Sequence, residues 1–465
     1  MATIIEQKPL YSTLTVGENV IFAVSNTNIV SAFTDVKFIA TVHISDQIPN
    51  PSILTDVVGT FKTTPNNAGV GMFDFRPIVE SFVSSDNLAR KDSLYKGVLN
   101  GLDNNVPMHL IDKFSGNINT MRYLVVKFTV QYNDGTGSII ENTTGDISLP
   151  MKLINGYLKY TDELDLIGVN FGYNMHNQFS FTNLAERKFL TNAPLIQYAN
   201  INDYGTVGLL MSNPFFPGLG SAGANAIRYK YYDDSNVEIA NEDVPQAGNG
   251  GFKYPQSIID AQMLYAGVFP ANLSNWSTLF NANIANIAYY TFQVIGSPPL
   301  AMSSLYRINI NCPNTKGFES IRLCWLNQWG AWDYYTFIMK SIKKISTKGS
   351  TYQQLEGSWN SSSYRIDSFR GGKKAFRVNA TEKITMNTDF VNESESAWFE
   401  ELINSPEVYL LKEKSSDATN SALNQYVTPV RLTTSSYTKK TVANDKLMQY
   451  TFEVEKSKTL RTQSI

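Results

Sequence analysis

Asp333 is the acid whose neighbours best suit chemistry. It stands in Ile321–Met339, IRLCWLNQWGAWDYYTFIM, among Trp325, Trp329, Trp332, Tyr334, Tyr335 and Phe337. A glycosidase needs two carboxylates about 5–10 Å apart beside a sugar platform. Trp329 and Trp332 would serve as the platform, but no second carboxylate is legible at that spacing. Beside a turn, Asp333 is more often a hydrogen-bond acceptor that fixes it, and the weaker alternative is the candidate acid of a glycosidase.

Other motifs lack their context. Gly218-Leu-Gly220-Ser-Ala-Gly223 matches GxGxxG, but that fingerprint needs a strand before it and a helix after it. Here Pro214-Phe-Phe-Pro217 precedes it and the alternating strand Ile227–Tyr232 follows. Ser341-Ile-Lys-Lys344 matches SxxK at the start of a Lys-rich loop, without the other elements of that motif set. His43, His109 and His176 are far apart, and none is paired with Cys or His at metal spacing. Cys312 and Cys324 read as buried or half-buried free thiols, with a disulfide left open. Neither a cofactor nor a catalytic site is expected. The pairs Lys343-Lys344, Lys373-Lys374 and Lys439-Lys440 read as solvated faces or as contacts to an acidic neighbour in an assembly.

The elements around these residues are mainly strands. The aromatic stretch reads as a β-hairpin with a five-residue loop, Asn327–Ala331, in which Gly330 supplies a positive φ. Its first arm carries Ile321, Leu323 and Trp325 on one face, and its second carries Trp332, Tyr334, Thr336 and Ile338. Further strands are expected at Val20–Ser25, Val36–Ile44, Val57–Thr63, Met121–Tyr132, Ser138–Glu141, Ala193–Ala199, Thr206–Met211, Ile227–Tyr232, Ile284–Val294 and Leu305–Ile310. In Val36–Ile44, His43 falls on the polar face. Asp74 is a candidate N-cap for a short helix through Ile78 and Phe82. Leu88–Leu102 is a candidate second helix, Gly156–Leu166 a helix or a link, and Asp243–Phe252 a loop. Ser341–Ser363 reads as a long polar loop or arm. Phe376–Met386, Val408–Leu411, Val427–Leu432 and Leu447–Val454 are expected strands around a helix capped by Asn392, with Glu395 completing a capping box.

The fold class is mainly β with short helices (all-β or α+β), with β-sandwich or barrel-like domains and a C-terminal sheet-plus-helix unit. Three domains are expected. Residues 1–115 form a β domain with a short helix, 116–315 a β-rich region with long loops, and 316–465 an α+β domain starting at the aromatic hairpin.

Charged residues make up 17% of the chain, against a typical value of about 25%. The net charge of −2 argues against nucleic-acid binding driven by overall charge. That charge is uneven: from Lys340 onward 19 basic residues face 14 acidic ones, a net of +5, which leaves −7 for the rest. Head-to-tail stacking of subunits would use that asymmetry, and an accident of solvated surfaces accounts for it equally well. The N-terminus shows no charged and apolar signal pattern, and no apolar run is long enough for a transmembrane helix, so synthesis in a cytoplasm without export is expected.

Three groups of segments resemble virion proteins of tailed bacteriophages that infect Bacteroidota. The first is VKFIATVHI with VGTFKTTPNNAGVGMFDFRPIVESFV. The second is the hairpin RLCWLNQWGAWDYYTF. The third is SAWFEELINSPEVYLL with YVTPVRLTTSSYTKK and NDKLMQYTFEVE. Together they cover about a third of the chain, at its two ends; the middle, about 150–310, has no such likeness. Trp329 and Ala331 flank Gly330 where the pattern of that group has smaller or basic residues. The resemblance implies a tail, baseplate or hub component, assembled in the host cytoplasm into a homo-oligomeric ring with other virion tail proteins. The alternative is a tail-tip protein that binds a host receptor or glycan. Trp329, Trp332, Tyr335, Lys343 and Lys344 are the candidate subunit interface. On this reading Trp329→Ala leaves the monomer fold intact and weakens assembly, whereas Trp325→Ala costs about 3–5 kcal/mol of stability.

Overall fold

A computed structural model describes residues 2–46, 54–89, 106–159, 175–179, 181, 187–210, 224–245, 263–296, 299–311, 317–357, 362–412, 426–436, 438, 448–458 and 460–461. These residues are mainly β, with several sheets and few, short helices. No helix among them is long and apolar enough to cross a membrane. They divide into two compact units. The first takes the described residues of Met1–Asn311 and Leu326–Asp333, and the second those of Cys312–Trp325, Tyr334–Glu413 and Gln425–Ile465.

The first unit begins with two sheets. One has three strands, in the order Ile4–Gln7, Ile21–Ser25, Val70–Asp74. The other runs Thr13–Thr15, Met151–Ile154, Met121–Asn133, Thr34–Ser45, Val57–Thr63, with Ile139–Asn142 added beside Met121–Asn133. Alternation decides what each strand gives to the core. Phe22 and Val24 from the small sheet meet Phe38, Ala40, Val42, Val126, Phe128 and Leu153 from the large one in a single buried cluster. The Phe22 and Phe128 rings are 5.5 Å apart. Thr34–Ser45 and Met121–Asn133 pair antiparallel along most of their length. A domain boundary near residue 115 would cut this sheet in two, which is the physical reason the expected division fails there. The opposite face of the large sheet is also covered: Ile39 and His43 are buried, so His43 does not sit on a solvated face. Burial holds its imidazole below its ordinary pKa.

The short helix predicted after Asp74 is one turn, Arg76–Val79, continued by a 3₁₀ turn, Glu80–Phe82. Phe75 is its N-cap residue, while the Asp74 carboxylate accepts the Arg76 N–H at 3.0 Å. Most of the expected helix at Leu88–Leu102 lies outside the described residues, as do 160–166 of Gly156–Leu166 and the GxGxxG stretch.

The rest of the first unit holds a five-stranded sheet ordered Ile196–Ala199, Tyr306–Ile310, Tyr289–Gly296, Ala224–Tyr232, Glu238–Pro245. A three-stranded sheet runs Thr206–Leu210, Met263–Gly267, Phe114–Gly116. Two features differ from expectation. Asp243–Pro245 ends a strand and does not open a loop. Residues 278–283 are helical, so the strand expected from Ile284 begins at Tyr289.

The second unit is one eight-stranded sheet with one helix. Its order is Trp332–Phe337, Ile321–Leu326, Val408–Leu411, Val427–Leu432, Thr451–Lys456, Gly372–Asn387, Ile342–Gln354, and Leu460–Arg461 pairs with Gly372–Asn387. The helix Glu393–Asn404 starts as predicted: Asn392 Oδ1 accepts the Glu395 N–H at 2.9 Å and Glu395 Oε2 accepts the Asn392 N–H at 2.9 Å. It lays Trp398 and Phe399 on the sheet, with Trp398 4.9 Å from Trp325 and Phe399 5.5 Å from Phe452. Ser341–Ser363, expected as a loop or arm, is for thirteen residues a strand, Ile342–Gln354.

Lys152 gives a testable consequence. It lies on the face of its strand opposite Leu153, between Thr13 and Tyr123 on the flanking strands, and is 3% exposed. Burial pulls its ammonium from 10.5 to about 7. Between those pH values the unfolded chain holds a proton that the fold has lost, so stability rises as pH goes from 7 to 10.5 and is flat below 7. Urea melts across that range should show this slope. Lys152→Met should remove the slope and be more stable than the wild type at pH 7.5.

Candidate interaction surface

At the hairpin tip, Asn327 Oδ1 accepts the N–H groups of Trp329 and Ala331, each at 3.0 Å. Its Nδ2 donates to Asp333 Oδ1 at 2.9 Å and to the Leu190 carbonyl at 2.8 Å. Thr191 Oγ1 donates to the same Asp333 oxygen at 2.6 Å. Asp333 is thus buried and tied to Asn327 and Thr191, the geometry of a turn-fixing acceptor. Gly330 has φ +74°, as the turn requires, and a Cβ there would run into the Asn155 carbonyl oxygen.

This tip buries two of the aromatics expected at a subunit interface. Trp329 is 2% exposed, stands 4.7 Å from Phe179 and donates its Nε1–H to Asn192 Oδ1 at 3.1 Å. Trp332 is buried too, donates its Nε1–H to the Asp86 carbonyl at 3.0 Å and meets His109 edge-on. Neither can be a subunit contact in this fold. Tyr335 is half-buried, 4.8 Å from Phe399 and 4.9 Å from Phe337, so its ring is mostly engaged within its own unit. The reason is burial on both faces: all six residues of Ile321–Leu326 are buried, so alternation there does not separate core from surface. Cys324 is buried, and burial pushes its thiol pKa up; Cys312 lies outside the described residues.

Lys343 and Lys344 are exposed, as predicted for solvated positions, and lie on a strand and not at a helix start. Lys343 reaches Glu319 at 2.6 Å. They begin a long antiparallel ribbon of Ile342–Gln354 with Gly372–Asn387. Thirteen residues of strand span about 43 Å. Ile342–Gln354 ends the strand order, so one backbone edge has no strand partner among the described residues. Among the described residues the second strand pairs, from Gly372 to Val378, with this one alone. A bulge at Phe376 shifts the register between Ser350 and Thr351 and leaves that ring exposed.

Opposed residues share a face. Lys344 with Lys383, Lys348 with Asn379, Ser350 with Arg377, and Tyr352 with Lys374 line one side. The other carries Ile345, Thr347 with Ala380, Val378 and Ala375. Lys383 is held by Glu453 at 2.8 Å. Among the described residues Lys348 and Arg377 have no ion-pair partner, and Lys344 shares the field of Glu453 with Lys383. Residues 340–387 contain ten Lys and Arg against three Asp and Glu, a net of +7, so the other residues sum to −9. The positive end of the chain, legible in the sequence, is this ribbon. Large apolar side chains are exposed along it, from Ile342 and Ile345 through Phe376 to Leu355, Ile366 at 71% and Phe369 at 72%. Its Ser, Thr and Ile alternation was a strand signal, masked by lysines and by Gly349.

Among the described residues no group of three or more His, Cys, Asp or Glu side chains is placed to hold a metal ion. Trp329→Ala should lower stability by about 3–5 kcal/mol, much as Trp325→Ala should. Gly330→Ala should cost more than about 1 kcal/mol from the positive φ alone. Chemical denaturation of each variant measures both. No protein-family model matches the chain, and no curated protein compared with it is similar.

Proposed function

We propose that this chain is a structural component of a tailed-phage virion, in the tail, baseplate or hub, acting by ring assembly and protein–protein contacts. The ribbon of Ile342–Gln354 and Gly372–Asn387 carries the reading. A long, exposed, apolar-studded edge is an aggregation hazard for a protein that works alone. In a subunit it is a surface for a neighbour, and heterologous contacts that close give rings. The resemblance of the hairpin and of the segments at the chain's two ends to phage virion proteins supplies the setting: the virion tail, assembled in the host cytoplasm.

A second reading, a tail-tip protein that binds a receptor or glycan, is favoured by one row across the five-stranded sheet. Tyr198, Asn309, Tyr289 and Tyr232 are successive cross-strand neighbours. Tyr232 and Tyr289 stack at 4.8 Å, and the Arg307 guanidinium lies 3.5 Å from the Tyr289 centroid. Ring faces beside amide and guanidinium donors are groups that hold sugars.

Light scattering coupled to size exclusion, with negative-stain imaging, separates the two. Assembly predicts closed oligomers of the purified chain and antibody labelling of the particle's tail. A monomer that binds host cells, and loses binding on Tyr289→Ala, would overturn it in favour of the second reading.

A further inference from the structure

We infer that the basic ribbon is a docking arm whose occupant is a second copy of this chain, laid against that copy's first unit, where residues 1–311 hold 25 acidic and 18 basic residues. The inference rests on the assembly reading above and names the surface that makes the contact. Three observations carry it.

The first is charge. Lys348 and Arg377 lie on one face without ion-pair partners among the described residues, in line with Lys344, in a segment of net +7. The rest of the chain carries −9, so a second copy offers the complementary sign. The second is area. The two strands contribute 13 and 16 residues, within reach of the roughly 20–30 residues a side that a standard interface uses. The third is where the apolar side chains sit. Ile342 and Ile345 stand near its base, and Phe376, Leu355, Ile366 and Phe369 toward its far end. A ribbon that follows a nucleic-acid groove would use its cations on phosphates and leave Ile366 and Phe369 in water. Apolar side chains at the two ends of the cationic face, Ile342 at its base and Ile366 and Phe369 beyond its far end, suit a protein surface, which buries them while its carboxylates face the lysines and arginine.

The contact joins the arm of one copy to a different surface of the next, so it is heterologous and repeats. Its strength falls with salt, because the charged face is exposed before docking.

The test uses the full chain in sedimentation velocity at about 50 mM and 500 mM salt. Lys344→Glu/Lys348→Glu/Arg377→Glu reverses the charged face, and Ile366→Ser/Phe369→Ser removes the apolar end. Thermal melts confirm that each variant folds. The expected result is wild-type assembly that weakens with salt, at least tenfold weaker assembly in both variants, and wild-type melting. Variants that assemble like the wild type overturn the arm and leave the assembly reading standing. A wild type that stays monomeric at every concentration overturns both. Tight binding of a 30-base-pair DNA duplex, or of vesicles with about 30% anionic lipid, that is lost in the charge-reversed variant while assembly persists, assigns the arm to that ligand and overturns the inference.

Discussion

The carboxamide of Asn327 uses all four of its hydrogen-bonding positions inside the protein. Two donors and two accepted N–H groups fix the backbone of the hairpin tip, hold Asp333 in place and connect both to the bend at Leu190. A buried polar group is costly unless every partner is present, so this one side chain admits a single arrangement of Trp329, Gly330 and Ala331. The two tryptophans then fall into pockets lined by Phe179 and His109. Deep packing of the aromatics follows from the polar lock as much as from their own hydrophobicity.

The second unit resolves a conflict between sheet edges and solubility. Its helix caps one region of the sheet with Trp398 and Phe399, and its last strands leave the sheet as an uncovered ribbon. Lysines along such an edge oppose indiscriminate strand pairing. The same lysines confer selectivity for a surface of opposite sign, so protection and recognition are the same charges seen by different partners.

Much of this was legible from the sequence wherever the signal is local. Val57–Thr63, Val408–Leu411 and Val427–Leu432 fall where alternation placed them. The Asn392–Glu395 capping box needs only four consecutive residues, and the positive φ of Gly330 only its turn. What failed depends on layers. Whether Trp329 meets solvent is decided by Phe179 and Asn192, well over a hundred positions earlier. His43 looks solvated in its own strand and is covered from elsewhere. The division at 115 failed because the pairing of Thr34–Ser45 with Met121–Asn133 spans it, and pairing between distant strands leaves little trace in either one.

The hairpin tip belongs to the first unit although 14 residues of the second precede it in the chain. Trp332 meets Asp86 across 246 positions and Asp333 meets Thr191 across 142. A ribosome therefore exposes almost the entire first unit before it supplies Asn327, Trp329 and Trp332. Until then the cavities those rings fill stay open, with the sticky surface of a nascent intermediate facing its neighbours. The first unit cannot mature as an autonomous module during synthesis. Its completion is coupled to emergence of the hairpin, and that order of events places a window for chaperone capture late in translation.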